Sequence, residues 1–147
     1  MIGIGYTLPF QVLVSGQADA ARLADSMNAL GLEGIRFRPI FLKPYYMARK
    51  GELLQGVQIH LTDPARAPLT GIQFLFLQEA HKINPDFDPF EGKEDRFPMF
   101  DYACGSDYLR KAMMKDFNFG SLREYWDGET DAFRDLSEKY HLYKPEP

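Results

Sequence analysis

Three segments of the chain arrange their apolar side chains in the way that β-strands do. Residues 57–62 alternate strictly between apolar and polar positions, which is typical of a half-buried strand. Residues 10–14 are a short run of β-forming side chains that ends at a turn signal. Residues 34–43 alternate as well, and because Pro39 lacks a backbone donor this strand either lies at an edge of its sheet or ends its pairing there.

Four further segments have apolar residues at helical spacing. They are residues 18–30, 70–83, 106–115 and 121–139. Gly31 stands where a glycine commonly ends a helix, and Ser121 and Glu124 have the spacing of a capping box that opens the last one. Gly128 is a weak point within that last helix. Residues 86–103 have no clear period, and a loop of that length is either functional or contains a short unrecognised element.

These elements predict the α/β (α+β) fold class, with a small mixed sheet packed by about four helices. A strand, a helix and a second strand open the chain, and such a connection is right-handed and places its two strands parallel. We therefore expect a parallel β-α-β start. At ~100–200 residues per domain, the 147 residues predict a single domain that spans residues 1–147.

The charge balance weighs against nucleic acid as a partner. Lys and Arg number 17 against 21 Asp and Glu, a net charge of -4, whereas nucleic-acid binders present a basic face. The 12 Phe, 8 Tyr and 1 Trp belong either to an aromatic-rich core or, in part, to a groove. No apolar stretch approaches the ~20 residues of a membrane span, and the N-terminus lacks the pattern of a signal peptide.

Residues that usually carry cofactors, metals or covalent chemistry do not form the required patterns. Gly3-Ile4-Gly5 precedes a strand, whereas a dinucleotide-binding glycine loop follows one. The acid-rich segment 86–91 lacks the spacing of a calcium loop. Cys104, the single cysteine, would need a nearby base to act as a nucleophile, and no local residue supplies one. We expect no catalytic residue, no cofactor and no metal. The metal ligands considered on spacing are His60, Asp63 and His81.

The best local constellation lies on the polar faces of strands 34–43 and 57–62. If these strands are neighbours, two arginines, a glutamine, a histidine and Thr62 converge on one surface, where guanidinium forks suit a carboxylate. Two tyrosines of the intervening loop 44–56 would then stack on a sugar or an acyl chain. The alternative is a solvated or helix-covered face, with salt bridges to Glu79 or Asp63. The candidate binding residues are Arg36, Arg38, Tyr45, Tyr46, Gln58 and His60.

Several motifs, in order along the chain, are similar to one bacterial family. They are Gly3-x-Gly5-x-Thr7-x-Pro9-Phe10, Gly34-x-Arg36-Phe37-Arg38-Pro39, Gly51-Glu52, Gly56-Val57-Gln58-Ile59-His60-Leu61-Thr62-Asp63, Gly105-Ser106-Asp107 with Leu109-Arg110, and the ending Trp126, Phe133 and Lys139-Tyr140-His141-Leu142-Tyr143. Together they resemble the C-terminal half of the NamZ-type exo-β-N-acetylmuramidases, glycoside hydrolases first known as a domain of unknown function. The segment 56–63 is the most specific part of this resemblance.

The resemblance implies a two-domain glycosidase of cell-wall recycling, of which this chain is the C-terminal domain. A Rossmann-like N-terminal domain, absent here, would carry the catalytic glutamate and be the partner, so the isolated chain is expected to be inactive. This chain would form one wall of the cleft for peptidoglycan-derived muramyl saccharides. From charge, we infer that Arg36 or Arg38 pairs with the lactyl carboxylate of muramic acid. The resemblance also implies a bacterial periplasmic or secreted location.

Two other functions stay open at the level of sequence. The chain could be a stand-alone glycan- or protein-binding module that uses the arginines, His60 and the tyrosines. It could instead be a small independent enzyme with a carboxylate pair such as Glu52 and Glu79. Glycosidases of that kind hold two carboxyl groups roughly 5–9.5 Å apart.

Overall fold

The computed structural model describes residues 7–16, 18–46 and 49–143. The segment with Gly3 and Gly5 lies outside these residues. The chain divides into two compact units, Met1–Phe97 and Pro98–Pro147. No helix in the described ranges is long and apolar enough to cross a membrane.

The first unit contains a three-stranded sheet of β1 (Val12–Ser15), β2 (Ile35–Leu42) and β3 (Leu54–Leu61), in the order β1-β3-β2. Both neighbouring pairs are antiparallel, so the expectation of a mixed sheet is wrong. β1 and β2 do run in the same direction, but β3 lies between them. Eleven residues separate β2 from β3, fewer than the dozen or more that a parallel crossover needs, so β3 pairs antiparallel with β2 and takes the central position.

Helix α1 (Ala20–Ala29) joins β1 to β2 and packs against the sheet. Asp19 caps its first turn by accepting a hydrogen bond of 2.8 Å from the backbone N–H of Arg22. Gly31 follows its end with φ of +65°, as the sequence predicts. Its buried face consists of Ala20, Leu23, Ala24 and Met27. Full burial of a leucine or methionine side chain stabilises by about 1.5–3 kcal/mol, so this face anchors the crossover on the sheet.

Helix α2 (Ile72–Ile83) supplies the second layer of the first unit's core. Phe74, Leu75 and Phe76 are all buried, so the helix is covered on more than one side. It packs against α1, and the two helices are also joined by a hydrogen bond from Ser26 to the buried carboxylate of Glu79. The predicted apolar helix over 70–83 is therefore confirmed, with a single 3₁₀ turn before it.

The second unit is helical. Its elements are α3 (Phe97–Cys104), α4 (Tyr108–Asp116), α5 (Arg123–Asp127) and α6 (Thr130–Glu138). Its buried apolar side chains are Leu109, Met113, Phe117, Phe119 and Leu122. The described chain thus has six α-helices rather than about four. One of the two additions is α3, which lies inside the expected loop 86–103; Pro98 stands in its first turn, where a missing backbone donor costs little.

The second additional helix arises because the expected helix 121–139 is interrupted at Gly128. The chain turns there between α5 and α6, and a Cβ at this position would lie 2.7 Å from the carbonyl oxygen of Glu124, so the turn needs a glycine. The predicted capping box is also wrong, since Ser121 Oγ donates 2.7 Å to the carbonyl of Asn118 instead. α6 has no buried residue, and its apolar Phe133, for example, is 69% exposed.

Candidate functional site

The pairing of β2 with β3 brings four of the predicted binding residues together. Arg36 lies opposite His60, and Arg38 lies opposite Gln58. Directly opposed residues of an antiparallel pair project from the same face, and so do residues two apart in one strand. The four side chains therefore form one cluster, which we call the polar row.

The face opposite the polar row belongs to the core, which explains why the sequence holds this register. Ile35, Phe37 and Ile59 alternate with the polar residues and are buried, and α1 packs against these two strands. A shift of one residue would bury the arginines and expose the core side chains. β2 is also an edge strand, as its Pro39 predicts.

The two arginines of the polar row are not neutralised by carboxylates. Arg38 Nε donates 2.8 Å to Oε1 of the buried Gln58, and Arg36 Nη1 donates 3.1 Å to the carbonyl of Ile35. Within the part of the chain that the structure describes, no Asp or Glu forms an ion pair with either guanidinium. The alternative of structural salt bridges to Glu79 or Asp63 is therefore wrong.

The two predicted tyrosines lie beyond the carboxyl end of β2, not within the polar row. Their ring centroids are 4.6 Å apart. Tyr45 lines a cavity of about 300 Å³ together with Val12, Ile40 and Leu42, and we call this the apolar pocket. Val12 is the register partner of Gln58 on β1, so the apolar pocket borders the polar row on the same face. Tyr46 packs on Tyr45.

The remaining chemical candidates serve local structure. Burial, and then the nearby charge of Asp101, raise the pKa of the Cys104 thiol, the opposite of what a nucleophile needs. His81 Nδ1 lies 2.9 Å from the carbonyl of Phe87, which holds the following turn. No group of three or more His, Cys, Asp or Glu side chains that could hold a metal occurs in the described ranges.

The two glutamates considered as an acid pair are both engaged elsewhere. Glu52 pairs with Arg49 at 2.9 Å. Glu79 accepts hydrogen bonds from Lys82 at 2.6 Å, from Gln78 at 2.8 Å and from Ser26. Burial would raise the pKa of Glu79, but these hydrogen bonds outweigh it and leave that pKa lowered, so the carboxylate is charged and structural.

A second cavity, in the helical unit, escaped the sequence reasoning. It has a volume of about 790 Å³, and its lining includes Tyr125, Trp126 and Phe133 with the carboxylates of Glu124 and Glu129. The run Glu124-Tyr125-Trp126 is the one feature of the sequence that indicates this cavity. Phe133 joins the lining only because the chain turns at Gly128, between α5 and α6. Neither the break nor the return of α6 can be read from apolar spacing.

Comparisons with known proteins agree along the whole chain. The family model "Exo-beta-N-acetylmuramidase NamZ, C-terminal" matches residues 1–143. The chain is 22% identical over 141 residues to the peptidoglycan beta-N-acetylmuramidase NamZ of Bacillus subtilis (strain 168), a match that covers 96% of this chain and 33% of that protein. It is also similar to the crystal structure of a DUF1343 family protein from Bacteroides fragilis NCTC 9343, with a TM-score of 0.91 and 43% identity, covering 97% of this chain and 37% of the other. The chain spans about a third of the length of these relatives.

Proposed function

The chain belongs to the family of NamZ C-terminal domains, and on that premise we propose that it is the accessory domain of an exo-β-N-acetylmuramidase and forms one wall of the substrate cleft. The relatives are about three times as long. In this proposal an N-terminal domain supplies the catalytic glutamate and the opposite wall. The ligand is a peptidoglycan-derived muramyl saccharide.

The observation that carries this proposal is the pair of arginines left without a carboxylate on an exposed sheet face. Arg36 and Arg38 lie two residues apart on one strand, which separates their Cα atoms by roughly 6.5–7 Å. Two planar guanidinium groups at this spacing suit the lactyl carboxylate of muramic acid. Gln58 holds Arg38 by accepting from Nε, and this bond does not use the terminal nitrogens of the guanidinium.

The other residues of this face have supporting parts in the proposal. His60, opposite Arg36, adds a ring nitrogen that hydrogen-bonds a sugar hydroxyl. The apolar pocket with Tyr45 and Tyr46 receives an apolar part of the saccharide, since rings and aliphatic side chains border the charged groups there. No residue of this chain is assigned to bond cleavage, because Glu52 and Glu79 are engaged in structural contacts.

The test is an NMR titration of the ¹⁵N-labelled chain with N-acetylmuramic acid and with N-acetylglucosamine, which lacks the lactyl group. We expect N-acetylmuramic acid to shift the signals of the polar row saturably, and N-acetylglucosamine to do so at least tenfold more weakly. Arg38→Ala should weaken the binding of N-acetylmuramic acid by roughly 10- to 100-fold, the value of a charge-assisted hydrogen bond. Arg22→Ala, an exposed arginine of α1, is the matched control and should have no effect.

Equal binding of the two sugars at the polar row would contradict the carboxylate assignment. A second measurement is the release of N-acetylmuramic acid from a chromogenic muramide. We expect no turnover by the 147-residue chain alone, and robust turnover would refute its role as an accessory domain.

A further inference from the structure

The cavity of the helical unit has walls that are held in place by other rings. Trp126 packs edge-on against the buried Phe119 with the centroids 5.7 Å apart. Tyr125 packs against Tyr108 with the centroids 4.5 Å apart. Phe133, on α6, completes the aromatic lining. Two of the three rings are thus positioned before any ligand arrives, which lowers the entropic cost of binding.

The polar groups of this cavity determine which ligands it suits. Glu124 and Glu129 contribute carboxylates, and Thr130 contributes a hydroxyl. None of the described residues that line the cavity is Lys, Arg or His. An anion would meet two negative charges without a cation, and a wholly apolar ligand would desolvate those carboxylates without compensating them. A suitable ligand therefore combines hydrogen-bond donors with apolar faces.

We propose that this cavity is a second saccharide site, which binds a neutral pyranose between Trp126 and Phe133 while Glu124 and Glu129 accept hydrogen bonds from its hydroxyls. The apolar C–H faces of the sugar ring pack on the aromatic rings. The inference deepens the proposed function, because it rests on the chain being a glycan-binding domain. It assigns the acidic sugar to the polar row and a neutral sugar to the helical unit.

The size of the cavity distinguishes a sugar from a compact cation. Carboxylates beside aromatic rings also attract ammonium groups, which need a ring face within about 6 Å. The volume of about 790 Å³ lies within the range of pockets that bind ring-sized organic ligands, although Phe133 and Tyr125 leave the cavity open to solvent. A tetramethylammonium ion would leave most of that space unfilled, whereas a disaccharide would fill much more of it.

Trp126 is the single tryptophan of the chain, so its fluorescence reports on this cavity directly. The experiment titrates the 147-residue chain with cellobiose, a neutral disaccharide, and with tetramethylammonium chloride at matched ionic strength. We expect a saturable change with cellobiose and none with the cation. Phe133→Ala and Glu129→Gln should each weaken cellobiose binding about tenfold. Leu136→Ala, an exposed residue of the same helix outside the lining, is the matched control and should leave binding unchanged.

Three outcomes would overturn the inference: no saturable response to cellobiose, a response to tetramethylammonium of equal affinity, or binding that Phe133→Ala and Glu129→Gln both leave intact. Arg38→Ala separates this inference from the proposed function, because Arg38 belongs to the polar row and does not line this cavity. If cellobiose binds but N-acetylmuramic acid does not bind at the polar row, only the proposed carboxylate site fails. If N-acetylmuramic acid binds there and cellobiose leaves Trp126 unchanged, only the second site fails.

Discussion

The side-chain amide of Asn28 forms two hydrogen bonds with the backbone of Phe37. Its Nδ2 donates 2.8 Å to the carbonyl oxygen, and its Oδ1 accepts 2.9 Å from the N–H. Because β2 is an edge strand, one asparagine on α1 takes the place of a neighbouring strand at this position. These bonds also fix the backbone between Arg36 and Arg38. The same asparagine therefore holds the buried Phe37 and the part of β2 that carries the two arginines of the polar row.

Asn28→Ala should lower the free energy of unfolding by about 1–3 kcal/mol, because two backbone groups lose their partners. Urea denaturation followed by circular dichroism measures the change. Asp25→Ala, at an exposed position of the same helix, is the control and should change stability by less than about 0.5 kcal/mol. Equal stability of the Asn28→Ala chain would show that water replaces the amide without cost.

The lowered pKa of Glu79 predicts a specific dependence of stability on pH. A carboxyl group whose pKa is lower in the folded chain stabilises that fold above its ordinary pKa of 4.5, and the stabilisation is lost as the pH falls through the folded value. Glu79→Gln removes this dependence. We therefore expect the stability advantage of the unmodified chain over Glu79→Gln to be largest near neutral pH and to shrink below pH 4.5.

Urea denaturation at several pH values between 7 and 3 measures that advantage. Glu91→Gln, at an exposed position, serves as the control for the loss of one carboxylate. An advantage that stays constant from neutral pH into the acid range would contradict the prediction, because it would show that the charge of Glu79 is not what its partners stabilise. Lys82→Met tests the largest of the lowering contributions and should reduce the same dependence.

Cys104 should react slowly with iodoacetamide at mildly alkaline pH. Burial and the charge of Asp101 raise the pKa of its thiol above the ordinary 9.0, and only the thiolate reacts. Asp101→Asn should move the alkylation profile of the native chain to lower pH while leaving the contribution of burial. The same titration in 6 M guanidinium chloride provides the unperturbed reference. A native profile at or below that reference would refute the raised pKa.

The sequence predicts correctly that the polar row lies on one face, because this arrangement depends mainly on the alternation of side chains within each strand. The alternation of Arg36 and Arg38 with Ile35 and Phe37 follows from the two-residue period of a strand, and the only further requirement is that β2 and β3 pair. The position of β3 between β1 and β2 is different, since no pattern within a strand states which strand lies beside it. For that reason the sequence did not indicate that β3 separates β1 from β2, which run in the same direction without pairing.

Close approaches between segments were equally hidden from the sequence. A Cβ on Gly56 would lie 2.0 Å from the backbone oxygen of Leu13, so a glycine is needed at this position, where β1 pairs closely with β3. Gly128 similarly marks the break between α5 and α6, and only its weakness within a helix could be predicted. Both positions need glycine because backbone oxygens of other residues lie too close to leave room for a Cβ atom. The aromatic cavity was missed for the same reason.

The alternation of β2 has a practical consequence for engineering the protein. Residues of the polar row and residues that face the core occupy separate positions of the same strand, so one set can be changed while the other is kept. Libraries that vary positions 36, 38 and 60 should retain soluble, folded chains at high frequency, whereas the same diversity at Ile35 or Phe37 should not. This sheet is therefore a scaffold on which new ligand preferences can be selected.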